Sequence, residues 1–291
     1  MLQERRDCII LEYMWPTLIS LGPMAIHSFG FLLFLGVFFG GFIWWQKGRE
    51  EGFEEESLMD YWLIAGVVAV VLGRAWYVLS HWPDFGGSWY KILFLTKFPG
   101  LTYEGAWLGA VVSLLILGAK KEWHVWRMLE VLVFSLLMVE MFAWLGSFLA
   151  GNNLGKETSW WWGLGFPGVE GRRHPIQLLW LLGLWLLSRL FKKWEKAYRG
   201  FKWYQHGKDE AKPGFLVAAY LIGLGLLRMG LSFLMEVREW RFSLGLILVG
   251  SLILIERSGI KMGRGKKPAK LPEGKKTKFL GKRKKQGFDF K

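Results

Sequence analysis

The sequence predicts an all-α protein that crosses a membrane about seven times and ends in a disordered basic tail. Hydrophobic residues make up 52% of its 291 residues, and the 19 Trp and 22 Phe far exceed the need of a soluble domain of this length. The apolar residues gather in runs of about 18 or more, the length that crosses a hydrocarbon core of about 30 Å. These observations indicate a polytopic membrane protein.

The predicted spans follow one another along the first 256 residues, which we take as one transmembrane domain. They are residues 24–46, 58–80, 101–119, 125–150, 174–191, 214–236 and 240–256. A shorter apolar stretch, Ile9 to Gly22, is interrupted by Glu12 and Pro16. We therefore expect it to lie along the membrane interface rather than to cross the bilayer.

The basic charge is concentrated in residues 257–291. This tail holds fourteen Lys or Arg against Glu273 and Asp289, which leaves only +2 of the net charge of +14 for the rest of the chain. Its basic runs are spaced by Gly and Pro and cannot bury a core, so we expect disorder. Because the tail follows a membrane span, we expect it to contact anionic membrane lipids rather than nucleic acid.

The positive-inside bias orients the predicted spans. With the tail in the cytoplasm, the connectors that carry Lys120 and Lys121, and the basic residues between 192 and 212, also lie inside. The N-terminus and the Trp-rich loop 151–173 then lie outside. Cys8 is the only cysteine, so a thiolate metal cluster is excluded, and the sequence carries no metal- or nucleotide-binding motif. We expect no cofactor.

Charged side chains within predicted spans are functional candidates, because lipid makes them costly unless they face protein, water or a ligand. They are Asp60, Arg74, Glu104, Glu130, Glu140, Arg228 and Glu236. Asp60, Glu130 and Glu236 have an equally good alternative: they hold helices together or sit near an interface. Arg74, Glu140 and Arg228 lie deeper.

Arg228 lies in the sixth span among three glycines, Gly223, Gly225 and Gly230. A guanidinium in this position needs an anion. Glu140, Glu104 and the phosphate of a lipid headgroup are the three alternatives, and arginine can bind a phosphate through two parallel hydrogen bonds.

Two further groups sit where the predicted spans meet the outer surface. Glu104, at the start of the third span, can act as a base or be an ordinary interfacial carboxylate. Arg172, Arg173 and His174 cluster at the positive end of the fifth helix dipole, where basic residues do not stabilise a helix. Their position favours receipt of an anion, or a headgroup-contacting belt shared with Trp160–Trp162.

Five segments, in order and at compatible span positions, resemble the bacterial prolipoprotein diacylglyceryl transferases. They are Ile26-His-Ser-Phe-Gly30, Leu72-Gly-Arg-Ala-Trp-Tyr77, Gly155-Lys-Glu-Thr158, Arg173-His-Pro-Ile-Gln-Leu178 and Tyr220-Leu-Ile-Gly-Leu-Gly-Leu-Leu-Arg228. The resemblance covers most of positions 20–256. It also places Glu104, within Tyr103-Glu-Gly105, where the family carries a histidine.

The resemblance implies transfer of the diacylglyceryl group of phosphatidylglycerol to the lipobox cysteine thiol of a preprolipoprotein signal peptide. It implies a multi-pass protein of the bacterial cell membrane. The catalytic candidates are Glu104, Glu140 and Arg228. The substrate-binding candidates are Arg74, Asn152, Gly155, Arg173, His174 and Gln177. Gly155 matches a family glycine at a position where a side chain would crowd the lipid.

The chain departs from the family signature G-R-x-G-N-F-x-N-x-E, which becomes Ala143-Trp-Leu-Gly-Ser-Phe-Leu-Ala-Gly-Asn152. The replaced positions are Trp144, Ser147, Ala150 and Asn152, together with Phe29 for a tyrosine and Ser232 for a glutamate. One hypothesis is an active enzyme whose charges are rebuilt from Glu140, Glu104 and Arg172 or Arg173. The alternative is a catalytically inactive homologue that binds anionic lipid or signal peptide. A transporter of an anionic lipid or solute is a third hypothesis, which the lack of paired broken helices disfavours.

Overall fold

A computed structural model describes residues 14–21, 24–95, 97–198, 212–236 and 240–258. Its seven long helices are α1 (Ser28–Glu50), α2 (Glu55–Ser80), α5 (Tyr103–Lys120), α6 (Val125–Ala150), α7 (Ile176–Ala197), α8 (Phe215–Ser232) and α9 (Trp240–Ser258). Two short helices, α3 (Trp82–Phe85) and α4 (Trp89–Leu93), lie between α2 and α5. The predicted helical fold class is confirmed. From residue 259 onwards, the tail that we predict to be disordered lies outside the described residues. Residues 1–13, which include Cys8, also lie outside them.

Each long helix occupies one of the predicted spans. Five of them, α1, α2, α5, α6 and α8, are long and apolar enough to cross a membrane. The other two, α7 and α9, carry charged residues near their ends. These are Arg189, Lys192, Lys193, Glu195 and Lys196 in α7, and Arg241, Glu256 and Arg257 in α9. The exact count of seven spans stays a prediction.

A β-hairpin precedes α1 where the sequence predicts an interfacial stretch followed by a span. Strand β1 (Thr17–Leu21) pairs antiparallel with β2 (Met24–His27), and Ile19 lies opposite Ile26. The backbone N–H of Ser28 donates to the carbonyl of Pro16 at 3.0 Å. The first helix therefore begins at Ser28, four residues after the predicted start of the span at 24, because β2 takes those residues.

Glycines allow neighbouring antiparallel helices to pack closely. A Cβ at Gly36 of α1 would lie 2.8 Å from Cβ of Phe142 in α6. One at Gly105 of α5 would lie 2.6 Å from the carbonyl oxygen of Leu72 in α2, and one at Gly225 of α8 would lie 2.9 Å from that of Ser243 in α9. In membranes, where apolar association gains little, such close packing of small residues drives helix association.

Helices α6 and α8 are the central helices of the bundle. Half of the apolar window of each is buried, against 22–28% for α1, α2 and α5. The peripheral helices expose large apolar side chains such as Phe34 (63% exposed) and Leu63 (64% exposed), as lipid-facing helices do. Polar groups on α6 and α8 are therefore enclosed by protein.

Glu130 of α6 holds the start of α8. Its Oε1 accepts hydrogen bonds from the backbone N–H groups of Gly214 (2.7 Å) and Leu216 (3.2 Å), and its Oε2 accepts one from the Tyr198 hydroxyl (3.0 Å). These are the backbone donors that a helix N-terminus leaves unsatisfied. Glu130 thus has the helix-holding role that the sequence left as its alternative. Asp60, one turn into α2, is exposed, which fits its interfacial alternative.

The loop that follows α6 is tied to the end of α8. Gly151, with a φ of 70°, ends α6 in the left-handed conformation that favours glycine. Further along, the backbone N–H of Lys156 donates to the carbonyl of Leu234 (2.8 Å) and its Nζ to that of Phe233 (3.1 Å). Gly155 forms a β-bridge with Met235. We call these contacts the loop clamp.

Candidate active site

A buried carboxylate is held between three helices. Glu140 of α6 is 6% exposed, and its Oε1 accepts hydrogen bonds from the hydroxyls of Tyr103 (α5) and Tyr220 (α8), both at 2.7 Å. The indole Nε1 of Trp107 donates to the Tyr220 hydroxyl at 3.3 Å. The other oxygen, Oε2, is buried and has no hydrogen-bond partner among the described residues. We call these four residues the Glu140 cluster.

Arg228 of α8 forms an ion pair with Glu104 of α5. Its Nη2 donates to Oε1 of Glu104 at 2.7 Å, and the side chains of Arg228 and Glu104 are 14% and 22% exposed. The guanidinium also lies over the rings of Tyr103 (5.4 Å) and Phe242 (5.1 Å), within the range of a cation–π contact. Of the two carboxylates weighed from the sequence as partners of Arg228, Glu104 forms this ion pair, and the lipid phosphate stays an open alternative.

Tyr103 connects the ion pair to the Glu140 cluster. Its ring lies against the Arg228 guanidinium, while its hydroxyl donates to Glu140. The three residues predicted as catalytic, Glu104, Glu140 and Arg228, therefore lie in one site. Their chemical roles stay predictions. A cation and a buried carboxylate joined through one side chain can hold an anion and take up a proton in the same place.

Tyr103, Tyr220, Trp107 and Phe242 belong to this site but were not predicted as site residues. Tyr103 and Tyr220 stand within the segments that carry the family resemblance. A tyrosine in an apolar span is a usable signal, because its hydroxyl finds a hydrogen-bond partner when buried. The sequence offers no signal for Phe242, whose contact with Arg228 depends on how α9 packs.

The substrate-binding candidate Arg74 makes its hydrogen bonds to residues outside this site. It is 5% exposed and donates to the carbonyls of Lys91 (2.7 Å), Ile92 (2.9 Å) and Gly100 (2.9 Å). All its donor nitrogens thus point at the connector between α2 and α5. These bonds to backbone carbonyls give Arg74 a structural role, and substrate binding by Arg74 stays a prediction.

Gln177 and Asn152 join the start of α7 to the end of α6. The Gln177 Nε2 donates to the Asn152 carbonyl at 2.6 Å, and the Ser147 hydroxyl donates to the same carbonyl at 3.1 Å. The Asn153 amide donates to the Ser147 hydroxyl at 3.0 Å. Gln177 is fully buried, yet its Oε1 has no hydrogen-bond partner among the described residues.

Gly155 packs against protein. A Cβ there would lie 2.5 Å from the His174 carbonyl oxygen and 2.7 Å from Cγ1 of Ile176. A larger side chain would therefore meet the protein first. The close approach of the loop to its own return segment is a structural reason for this glycine, and its proximity to lipid stays a prediction.

Arg173 and His174 have different environments, although the sequence grouped them as one cationic cluster. Arg173 forms an ion pair with Glu236 and donates to the Gly155 carbonyl at 3.4 Å. Nδ1 of His174 accepts a hydrogen bond from Nε1 of Trp162 at 3.0 Å, so that nitrogen carries no proton. Burial lowers the pKa of His174 below its ordinary value of 6.5. Both features favour the neutral form of His174, and its part in receiving an anion stays a prediction.

The signature position Trp144 is filled by packing. Its ring stacks on that of Trp180 at 4.8 Å with an interplanar angle of 8°. Where the resemblance places an arginine, α6 and α7 therefore meet through two indoles. Among the residues that the structure describes, no group of three His, Cys, Asp or Glu side chains is arranged to hold a metal ion.

Comparison with known proteins gives one family. A family model described as prolipoprotein diacylglyceryl transferase matches residues 16–257. Similar curated proteins carry the name phosphatidylglycerol–prolipoprotein diacylglyceryl transferase. One from Shouchella clausii is 27% identical over 141 residues, which is 48% of this chain and 50% of that relative.

Longer matches exist to two further relatives. One from Synechocystis is 25% identical over 74% of this chain and 76% of its own length. A second form from Clostridium perfringens, named phosphatidylglycerol–prolipoprotein diacylglyceryl transferase 2, is 24% identical over 80% of this chain and 87% of its own length. This chain thus spans about half the length of the Shouchella relative, but most of the length of the Synechocystis and Clostridium relatives.

Proposed function

Because the chain belongs to the prolipoprotein diacylglyceryl transferase family, we propose that it moves the diacylglyceryl group of phosphatidylglycerol to the lipobox cysteine thiol of preprolipoproteins. The single observation that carries this proposal is the junction of the Glu104–Arg228 ion pair with the Glu140 cluster through Tyr103. It brings an arginine and a proton-accepting carboxylate together, and the reaction needs one of each.

In the proposed reaction, Arg228 holds the phosphate of the donor lipid and neutralises the charge that develops on it. Arginine suits this role because its planar guanidinium binds phosphate through paired hydrogen bonds. The aromatic rings of Tyr103 and Phe242 fix the plane of the guanidinium. Arg228→Lys keeps the charge but loses that geometry.

Glu140 is the proposed base. Its Oε2, which has no hydrogen-bond partner among the described residues, takes the proton of the cysteine thiol, while Tyr103 and Tyr220 hold the carboxylate through Oε1. The thiolate sulfur then forms a bond to the glycerol carbon of the diacylglyceryl group as the bond from that carbon to the phosphate oxygen breaks. The electron pair of the broken bond stays on the phosphate, and glycerol phosphate leaves. The proton on Glu140 passes to this leaving group or to water.

The loop 151–175 is the proposed contact region for the acceptor peptide. Oε1 of Gln177 and Nε of Arg173 are buried without hydrogen-bond partners among the described residues, so they can bind peptide amides or a headgroup. Asn152, Gly155 and His174 shape this region through their contacts with Gln177, Arg173 and Trp162. We place the loop outside the bacterial cell membrane, with the N-terminus outside and the basic tail against cytoplasmic anionic lipid.

The test is transfer in vitro. Purified protein, given phosphatidylglycerol and a lipobox peptide, should yield a thioether-linked diacylglyceryl peptide, detected by its mass. A peptide with serine in place of the lipobox cysteine is the matched control and should yield none. Glu140→Gln keeps the hydrogen bonds of the cluster but cannot take a proton, so transfer should fall by about 100-fold. No product from wild type, under conditions in which the Clostridium relative works, contradicts the proposal.

The second candidate function is lipid or signal-peptide binding without catalysis. The stacking of Trp144 on Trp180 favours it, because two packed indoles occupy the place of a family arginine. Binding of phosphatidylglycerol or of the peptide, without any thioether product, is the outcome that supports this candidate.

A further inference from the structure

We propose that Glu104 is an internal counter-ion: it occupies the phosphate position on Arg228 when no lipid is bound, and the phosphate of the donor displaces it. This inference rests on the proposed function, because it concerns the same phosphate site. It gives Glu104 a role in selecting the lipid and releasing the product, whereas the proton chemistry stays with Glu140.

The guanidinium of Arg228 is positioned by groups other than Glu104. The rings of Tyr103 and Phe242 lie 5.4 Å and 5.1 Å from its central carbon. Tyr103 is in turn fixed by its hydrogen bond to Glu140. Loss of the Glu104 carboxylate therefore leaves the guanidinium aimed at the same place.

A phosphodiester can replace this carboxylate on chemical grounds. Both groups carry one negative charge and present two oxygens in the geometry that a guanidinium binds in parallel. The Glu104 oxygen lies 2.7 Å from Nη2 of Arg228, the distance of a charge-assisted hydrogen bond. A lipid phosphate would make the same contact.

The Glu104 carboxylate can be accommodated elsewhere when the lipid phosphate displaces it from Arg228. Glu104 lies in the first turn of α5, where unsatisfied backbone N–H groups and the helix dipole favour negative charge. Its side chain is 22% exposed, so a rotation reaches water. Glu140 has no such freedom, because it is buried and held by two tyrosines.

The counter-ion sets which ligands enter and how the product leaves. A neutral lipid such as diacylglycerol gives Arg228 nothing in exchange for Glu104, so it is excluded. The donor diester carries one negative charge, whereas the released glycerol phosphate, a monoester, carries up to about two near neutral pH. The returning carboxylate repels the more negative product more strongly, and this repulsion assists release.

The test compares lipid binding by wild type and by Glu104→Gln in detergent micelles without acceptor peptide. The probe is phosphatidylglycerol with brominated acyl chains, and its binding is followed by quenching of tryptophan fluorescence. Glu104→Gln removes the competing charge, so the affinity should rise by about tenfold. Brominated diacylglycerol, which has no phosphate to pair with Arg228, should bind to wild type at least tenfold more weakly than brominated phosphatidylglycerol does. The matched control is Glu54→Gln, which removes an ion pair of the same 2.7 Å length with Lys121 and should leave the affinity unchanged.

Unchanged or weaker binding of phosphatidylglycerol by folded Glu104→Gln overturns the inference. If that variant does not fold, Glu104→Asp serves instead. It keeps the charge but shortens the reach to Arg228, so the affinity should rise by about threefold, and an unchanged affinity again contradicts the inference.

A single-turnover experiment separates this inference from the proposed function. If Glu104→Gln binds lipid as wild type does but transfers no diacylglyceryl group, Glu104 is the base and the inference is wrong. If wild type itself transfers nothing while Glu104→Gln binds phosphatidylglycerol more tightly, the transferase proposal fails and the counter-ion role stands.

Discussion

Tyr103 shows how much the site depends on single side chains. One face of its ring contacts the Arg228 guanidinium, and its hydroxyl donates to Glu140. The sequence identifies Glu140 and Arg228 as charges in apolar spans, but it does not show that one aromatic residue joins them. Such contacts connect residues far apart in the chain, and periodicity along the chain carries no information about them.

His174 shows how the environment of a residue changes what its chemical type suggests. Next to Arg172 and Arg173 in the sequence, it reads as part of a cationic cluster. In the fold, burial lowers its pKa and Nδ1 accepts a hydrogen bond from Trp162, and both favour the neutral form. Desolvation decides the charge of an imidazole, and a sequence does not report desolvation.

The lowered pKa of His174 predicts a pH dependence of stability. The unfolded chain binds more protons than the folded protein between the lowered pKa and the ordinary value of 6.5, so stability is fully present above 6.5 and declines as the pH falls towards the folded pKa. His174→Gln keeps an acceptor for Trp162 and cannot titrate. In thermal unfolding between pH 8 and 5, wild type should lose more stability than this variant. Parallel curves for the two proteins would refute the assignment.

At the scale of elements, the helices are the part of the fold that sequence predicts well. The span predicted at 125–150 coincides with α6, and the others agree with α1, α2, α5, α7, α8 and α9 to within a few residues at most ends. A long apolar segment in lipid must satisfy every backbone polar group within itself, and an α-helix does this. The hairpin β1–β2 was missed, since short strands in a loop carry no comparable signal.

Close helix packing gives a prediction with an internal control. A Cβ at Gly225 of α8 would lie 2.9 Å from the carbonyl oxygen of Ser243 and 2.7 Å from Cγ1 of Ile247, both in α9. Gly225→Ala should therefore destabilise the protein by about 1–3 kcal/mol. At Gly245, also in α9, a Cβ meets nothing within 4 Å, so Gly245→Ala should be neutral or slightly stabilising. Thermal unfolding in detergent measures both. Equal effects would mean that α8 and α9 do not pack at Gly225.

For the whole molecule, the positive-inside bias makes a prediction about orientation. In a Cys8→Ser background, Trp161→Cys places a thiol in the loop after α6, where Trp161 is 80% exposed. Lys121→Cys places one at the end of α5, where the Lys121 side chain is 45% exposed. A membrane-impermeant maleimide should label residue 161 in intact cells and residue 121 only after the membrane is opened. The opposite pattern would invert the proposed topology.

The loop clamp couples the loop after α6 to the helix that carries Arg228. Lys156 and Gly155 are bound to residues 233–235, and Arg228 stands about one turn before the end of α8. Anything that lifts the loop must break these bonds or pull the end of α8 with it. A ligand that lifted the loop would therefore shift the end of the helix that carries Arg228, without contacting the guanidinium itself.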